Sequence, residues 1–374
     1  MSARRLRLIL PLLLAPALAA CGSGQQGPAP LTEAALSAVT KEPGAPREEL
    51  ARVIDDMFAD RQAGETRAVL VMHAGRIVAE RYAPGYGKET RFIGWSMTKS
   101  VTGVMVGMLV ADGRLRLDES VPVAEWQRSG DARGEITLRQ LLQMRSGLRH
   151  TEGGDPVYKA DEVRMLFLDG RDDMAAYAEA QPLEAEPGRK FEYSSATSVI
   201  LSDVATRTLT ANADPAARRT AMAEYLRTRL FEPVGLHSMT AEYDAAGTLI
   251  GSSMIHATAR DWASFGEFLR NGGSVKGAQI VPRDWIQFMT TPSPRNPGYG
   301  AQVWLNRPQV DGKQVLFPDS ARRDIFACVG HLGQYIVVSP EQRLVVVRLG
   351  KSDEQQRLRV LTALARLIEL YPES

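Results

Sequence analysis

Ser96 and Lys99 stand three residues apart in Gly94-Trp95-Ser96-Met97-Thr98-Lys99-Ser100. On a helix that spacing puts both side chains on one face, with Cβ atoms about 5–6 Å apart, so the amine reaches the hydroxyl. A serine hydroxyl is a weak nucleophile until a neighbouring base takes its proton. Lysine serves as that base only when its charged form is disfavoured, as burial and the positive end of a dipole both do. Residues 101–110 are apolar nearly throughout, which predicts a helix buried all round with the pair in its first turn. Unpaired backbone N–H groups at that helix start are placed to hold an oxyanion, that of Ser96 first among them. Ser-x-x-Lys alone also fits an N-cap serine followed by a solvated lysine. Lysine is scarce beside arginine in this chain, and the apolar run follows at once, which favours the reactive pair.

Two later clusters carry residues of the same chemistry. In Gly188-Arg189-Lys190-Phe191-Glu192-Tyr193-Ser194-Ser195, small polar residues precede a helical pattern, so Tyr193 projects from a loop. A phenol near a lysine can pass a proton between nucleophile and leaving group; the alternative is a tyrosine packing the loop base. In Gly330-His331-Leu332-Gly333-Gln334 the chain enters a strand. Glycines there allow close backbone approach to a substrate, and the N–H of Gln334 is the candidate second oxyanion donor beside that of Ser96. A plain tight turn is the alternative.

The elements that must position these residues follow from periodicity. Apolar residues at helical spacing predict a helix over 47–58, and alternation predicts strands over 67–73 and 76–82 joined at Ala74-Gly75. His73 then ends a strand. Thr137 caps a short helix over 138–144, and further helices are expected over 162–168, 173–179, 198–209 and 218–230. Strands return at 300–305, 325–329, 334–338 and 344–349. A last helix over 353–370 places Leu358, Leu361, Leu364 and Ile368 on one side. Strands at both ends of the chain around a helical middle imply one antiparallel sheet with the helical part beside it. The α/β part then spans about 47–95 and 248–374, and the helical part about 96–247.

At 374 residues, 44% hydrophobic and 24% charged with net charge +1, the balance is that of a globular protein. Charge near zero and no basic run argue against nucleic acid as partner. No Cys or His spacing suits a metal, and no cofactor pattern is present. Residues 1–20 read as an export signal: Arg4, Arg5 and Arg7 precede an apolar stretch short for a bilayer span. The stretch ends in Leu18-Ala19-Ala20-Cys21-Gly22, which resembles a bacterial lipobox. Cys21 is therefore expected to carry the lipid that anchors the exported protein to a membrane on the periplasmic side. The remaining cysteine, Cys328, then has no partner and is expected as a small buried hydrophobe. Residues 21–46, rich in Gly, Gln, Pro, Ala and Ser, are expected to form a flexible tether.

Taken in order, Ser96–Lys99, Tyr193-Ser194-Ser195 and His331-Leu332-Gly333 resemble the three signature motifs of the serine β-lactamase and penicillin-binding superfamily. Leu141-Leu142-Gln143-Met144-Arg145-Ser146-Gly147-Leu148, Thr258-Ala259-Arg260-Asp261-Trp262 and Asn271-Gly272-Gly273 resemble its class C, esterase and 6-aminohexanoate-dimer hydrolase branch. The resemblance covers roughly residues 50–370. It implies an α/β (α+β) fold, an antiparallel sheet flanked by helices plus an all-helical region, with the active site between them. It further implies acyl transfer from a small ester or amide through Ser96, with Lys99 and Tyr193 moving the proton. Ser195, His331 and Gly333 would line the cleft, and the loop 153–158 would close over the substrate with Tyr158 in contact. Ser195 replaces the usual asparagine and His331 the usual lysine, which weakens the hold on a β-lactam carboxylate. A D,D-peptidase or β-lactamase acting on cell-wall-type substrates, and an acylable sensor without turnover, are the alternatives.

Overall fold

A computed structural model describes residues 30–313, 315–317 and 322–372. The export signal and Cys21 lie outside the described residues. Six strands form one antiparallel sheet: β1 (Glu65–His73), β2 (Arg76–Tyr82), β3 (Trp304–Leu305), β4 (Phe326–Gly330), β5 (Gln334–Ser339) and β6 (Leu344–Lys351). Their order across the sheet is β2-β1-β6-β5-β4-β3, so β1, from the N-terminal part, pairs directly with β6 near the C-terminus. The β1–β2 turn takes positive φ at both Ala74 and Gly75, the geometry whose twist matches a hairpin.

Alternation along the central strands divides the core in two. Val69, Val71, Tyr335, Val337 and Val346 face α1 (Arg47–Ala59) and a C-terminal helix, Arg357–Glu369. Leu70, Met72, Ile336, Val338, Val345 and Val347 face the other side, where the helical part packs. A buried face on both sides explains why these strands read as nearly unbroken apolar runs.

The helical part contains α2 (Thr98–Ala111), α3 (Ser195–Leu209), the short helices Leu138–Leu142, Asp161–Phe167 and Met174–Glu179, and Pro215–Leu226, which continues as a π-helix through Arg227–Phe231. α2 buries all but the last two of its residues, as an apolar helix without a polar face must. Thr137 caps Leu138–Leu142 through a reciprocal capping box with Gln140. The chain passes between the two parts at a small sheet ordered Arg91–Ile93, Ile255–Thr258, Thr240–Ala241.

Three expectations are corrected. Residues 30–46 are not a free tether: Glu33–Ser37 form a helical turn, Val39 bridges Ala79 at the sheet edge, and Arg47 donates to the carbonyls of Leu36, Val39 and Thr40. Only Trp304–Leu305 of the 300–305 segment pairs as strand, because the chain before it folds through Gly300 N to Val303 O and Ala301 N to Met289 O bonds. Leu361, Leu364 and Ile368 of the last helix are buried as expected, together with Val360 and Leu367, but Leu358 is 63% exposed.

Candidate active site

The nucleophile sits where an extended segment turns sharply into a helix. Trp95 has φ of 46°, a left-handed backbone that a bulky residue rarely adopts. The turn Trp95–Met97 leads straight into α2. Met97 N donates to Gly94 O and Thr98 N to Trp95 O, so the Ser96 N–H finds no partner in its own turn. Glycines let this turn sit tightly in place. A Cβ on Gly94 would run into the Trp262 indole, and one on Gly330, at the end of β4, into the Gly94 carbonyl.

Lys99 is buried, and its Nζ has three oxygen partners: Ser96 Oγ at 3.0 Å, Ser195 Oγ at 3.0 Å and the Ser252 carbonyl at 3.1 Å. Burial pushes its pKa down to about 8, against the opposing pull of Glu152 and then Glu162. Ser195 is the first residue of α3. Its Oγ lies 2.5 Å from Glu152 Oε1 and its N–H donates to Glu152 Oε2 at 2.7 Å. His150 Nε2 sits 2.6 Å from the same Oε2. Burial would raise the Glu152 pKa, but the His150 hydrogen bond and the Lys99 charge overcome it and hold the carboxyl at about 2.

These partners fix the direction of the hydrogen bonds. Glu152 is ionised and only accepts, so the Ser195 hydroxyl donates to it and accepts an N–H from Lys99. The Ser252 carbonyl takes a second N–H. A neutral Lys99 then has its lone pair left for the hydroxyl of Ser96.

The Tyr193 phenol lies near enough to Ser96 for that hydroxyl to influence its proton, and its ring lies 5.0 Å from Lys99 Nζ. Burial, then the Glu152 charge, push its phenol above the ordinary tyrosine value, so it stays protonated near neutrality. Tyr299 and Trp304 pack against its ring at centroid distances of 5.8 and 5.2 Å, which locks the phenol in place.

The third sequence cluster forms the β4–β5 turn. Gln334 pairs with Gly330 across it, so its backbone faces the hairpin partner, while its side-chain amide donates to His331 O, Leu332 O and Gly350 O and accepts from Gly350 N. Gln334 therefore closes the hairpin instead of opening toward Ser96. The open edge belongs to Val329. Asn306 N donates to Ile325 O and Trp304 registers with Ala327, so alternate residues of β4 turn their polar groups outward. Past Trp304 the next such residue is Val329, on the strand that lies against the Trp95–Met97 turn. Gly333, at φ of 80°, is a turn residue whose carbonyl accepts from the buried Arg348 at 2.8 Å. His331 stands exposed at the turn with the Trp95 ring edge-on at 5.5 Å, and desolvation lowers its pKa, so it offers little charge. Tyr158 is 58% exposed and takes no part in this hydrogen-bonded group.

The Beta-lactamase family model matches residues 51–370. The chain belongs to the β-lactamase family. A curated relative from Paenarthrobacter ureafaciens, named 6-aminohexanoate-dimer hydrolase, is 24% identical over 328 residues, covering 83% of this chain and 80% of that one. Among solved structures, one from Bacillus anthracis assigned as a 6-aminohexanoate-dimer hydrolase shares the fold at TM-score 0.66 and 22% identity, over 86% of this chain and 83% of the other. A family VIII carboxylesterase does so at TM-score 0.60 and 17% identity, over 85% and 97%. The relatives are named hydrolases, and the antiparallel sheet flanked by helices is the fold they share.

Within this β-lactamase-family site, Ser96, Lys99, Tyr193 and Ser195 come together as their motifs suggest. Glu152, Ser252 and Trp304 were not legible. Glu152 follows the helix that ends near Ser146-Gly147-Leu148, in a loop with no periodicity, and only its position directly before the turn-forming run Gly153-Gly154-Asp155-Pro156 hinted at an ordered loop. Ser252 contributes a backbone carbonyl to Lys99, which side-chain motifs do not report.

Proposed function

We propose that this protein is a serine hydrolase that opens an ester or amide bond through an acyl-enzyme on Ser96. The coordination of Lys99 carries the reading: an ammonium donates to all three oxygens around it, whereas the neutral amine donates to two and accepts the proton of Ser96. Ser96 then attacks the carbonyl carbon, and the carbonyl oxygen collects negative charge opposite the N–H groups of Ser96 and Val329. Tyr193 gives its proton to the departing oxygen or nitrogen and regains one from the Lys99 ammonium. A water molecule repeats the sequence in reverse and releases the acid.

The departures from the β-lactam-binding pattern favour linear esters and amides. Ser195 is committed to Lys99 and Glu152, and His331 offers little charge to a β-lactam carboxylate. The named activity of the Paenarthrobacter ureafaciens relative agrees with that direction. With p-nitrophenyl acetate, the wild type is expected to show a burst of nitrophenolate and one transient acetyl group on the peptide containing Ser96. Ser96→Ala should lose both, with turnover down by about 10³-fold or more and an unchanged melting temperature. Turnover surviving in Ser96→Ala would overturn the reading.

A further inference from the structure

Beyond Trp95 lies a hollow of about 320 Å³ that the chemistry above does not use. Its apolar walls are Tyr86, Phe92, Trp95 and Leu332. Tyr86 and Phe92 stack at 5.7 Å, and Arg67 lies over the Tyr86 ring at 5.4 Å, so the floor is rigid. Arg67, Arg91, His256 and Lys351 also line it, and no Asp or Glu does. Arg67 is held by Glu65 at 2.7 Å, which offsets its charge, and His256 is hydrogen-bonded to Glu242 at 2.6 Å. Arg91 and Lys351 are exposed and form no ion pair within 4.0 Å among the described residues, although Glu65, opposite Lys351 in the sheet, feels its charge. Arg67, Arg91 and Lys351 against the nearby carboxylates of Glu65 and Glu242 leave the hollow net positive.

The place of the hollow relates it to the reaction. Tyr193, the proton donor to the leaving group, packs on Trp304, which pairs with Ala327 near the start of β4. The hollow borders the opposite end of that strand, where Leu332 sits in the turn and Trp95 precedes the nucleophile. A substrate lying along β4 therefore directs its leaving group toward Tyr193 and its acyl chain past Trp95. We infer that this hollow is an acyl-side subsite that selects esters or amides whose acyl chain ends in a carboxylate. Methylenes lie against Trp95, Phe92 and Leu332, and the terminal carboxylate meets Arg91 and Lys351.

This inference rests on the acyl-transfer reading, and the test separates the two. Nitrophenyl esters of straight-chain diacids of several lengths are compared with the same esters whose far carboxyl is capped as a methyl ester. The observable is the ratio of kcat/KM for carboxylate-ended over capped substrate, which cancels general losses of folding or catalysis. In the full-length wild type the ratio should exceed one at the best chain length by about three- to tenfold, the scale of one or two partly exposed charge pairs. It should decline with added salt and collapse toward one in Arg91→Gln/Lys351→Gln. No preference in the wild type, or a ratio unmoved by the double substitution, overturns the subsite while release still depends on Ser96. Release that survives in Ser96→Ala overturns the underlying hydrolase reading instead.

Discussion

At the scale of single residues, Glu152 has opposing effects on Lys99. Its negative charge favours the ammonium and so raises the pH at which the base becomes available. Its bonds to Ser195, at 2.5 and 2.7 Å, also aim the Ser195 hydroxyl that receives an N–H from Lys99. With the Lys99 pKa near 8, kcat/KM for an ester should fall below pH 8 as the amine gains a proton. Glu152→Gln removes the charge that favours the protonated amine, so the acid limb should move to lower pH by ~0.5–1 unit. The plateau should drop about 10- to 100-fold, because an amide has only one acceptor oxygen and can no longer accept from both the Ser195 N–H and the Ser195 hydroxyl at separate oxygens. A limb that stays in place or moves up would exclude the electrostatic role. Glu152 carries no motif; its distance from Ser195 in sequence is bridged only by folding.

At the scale of elements, α2 holds the nucleophile in place because it is packed on every side. A Cβ at Gly107 would enter the Trp285 indole, and that ring cannot swing away without losing its 3.0 Å bond from Nε1 to Gly103 O. Gly107→Ala therefore sets a helix-propensity gain of about 1 kcal/mol against an overpacking cost of about 1–3 kcal/mol. The clash should win, lowering the melting temperature in a calorimetric scan. Gly87→Ala, with open space around its Cβ, serves as the comparison and should cost less. An equal or higher melting temperature for Gly107→Ala would show that the helix has slack. The burial of α2 was evident from its composition, whereas the match of a single glycine to Trp285, far along the chain, was not.

Across the whole molecule, a buried charge network ties the helical part together. Glu179 and Asp203, both buried, share Arg207, while Arg218 joins Asp203 to the Ala246 carbonyl. Trp126 and Arg133 donate to the Glu179 backbone carbonyl. Burial, and then the Asp203 charge, raise the Glu179 pKa to about 8, with Arg207 opposing. A carboxyl whose folded pKa lies above its unfolded one binds more protons when folded, so its stabilising effect is complete below about pH 4.5 and fades as pH rises to 8. Wild-type melting temperature should therefore decline between pH 5 and 8.5. Glu179→Gln should flatten that slope and melt roughly 2–5 °C higher at pH 8.5. A slope unchanged by the substitution would remove Glu179 from the account. Glu152 acts with the opposite sign: its depressed pKa supports the fold above about pH 4.5, and that support is lost as pH falls toward 2.

Local rules were enough to read the hairpin of Arg67–Tyr82, the capped helix after Thr137, the all-round burial of α2 and the Ser96–Lys99 pair, because each depends on residues a few positions apart. Packing decided what those rules leave open. The last helix buries Leu361, Leu364 and Ile368 but leaves Leu358 outside the packed stripe, and residues 30–46 folded onto the sheet edge because Val39 found Ala79. The carboxylate behind Ser195 and the free edge at Val329 depend on strand register and on loops meeting from distant parts of the chain. Backbone donors and long-range charge partners leave no period or spacing in a sequence, so they become visible only once the chain has closed around Ser96.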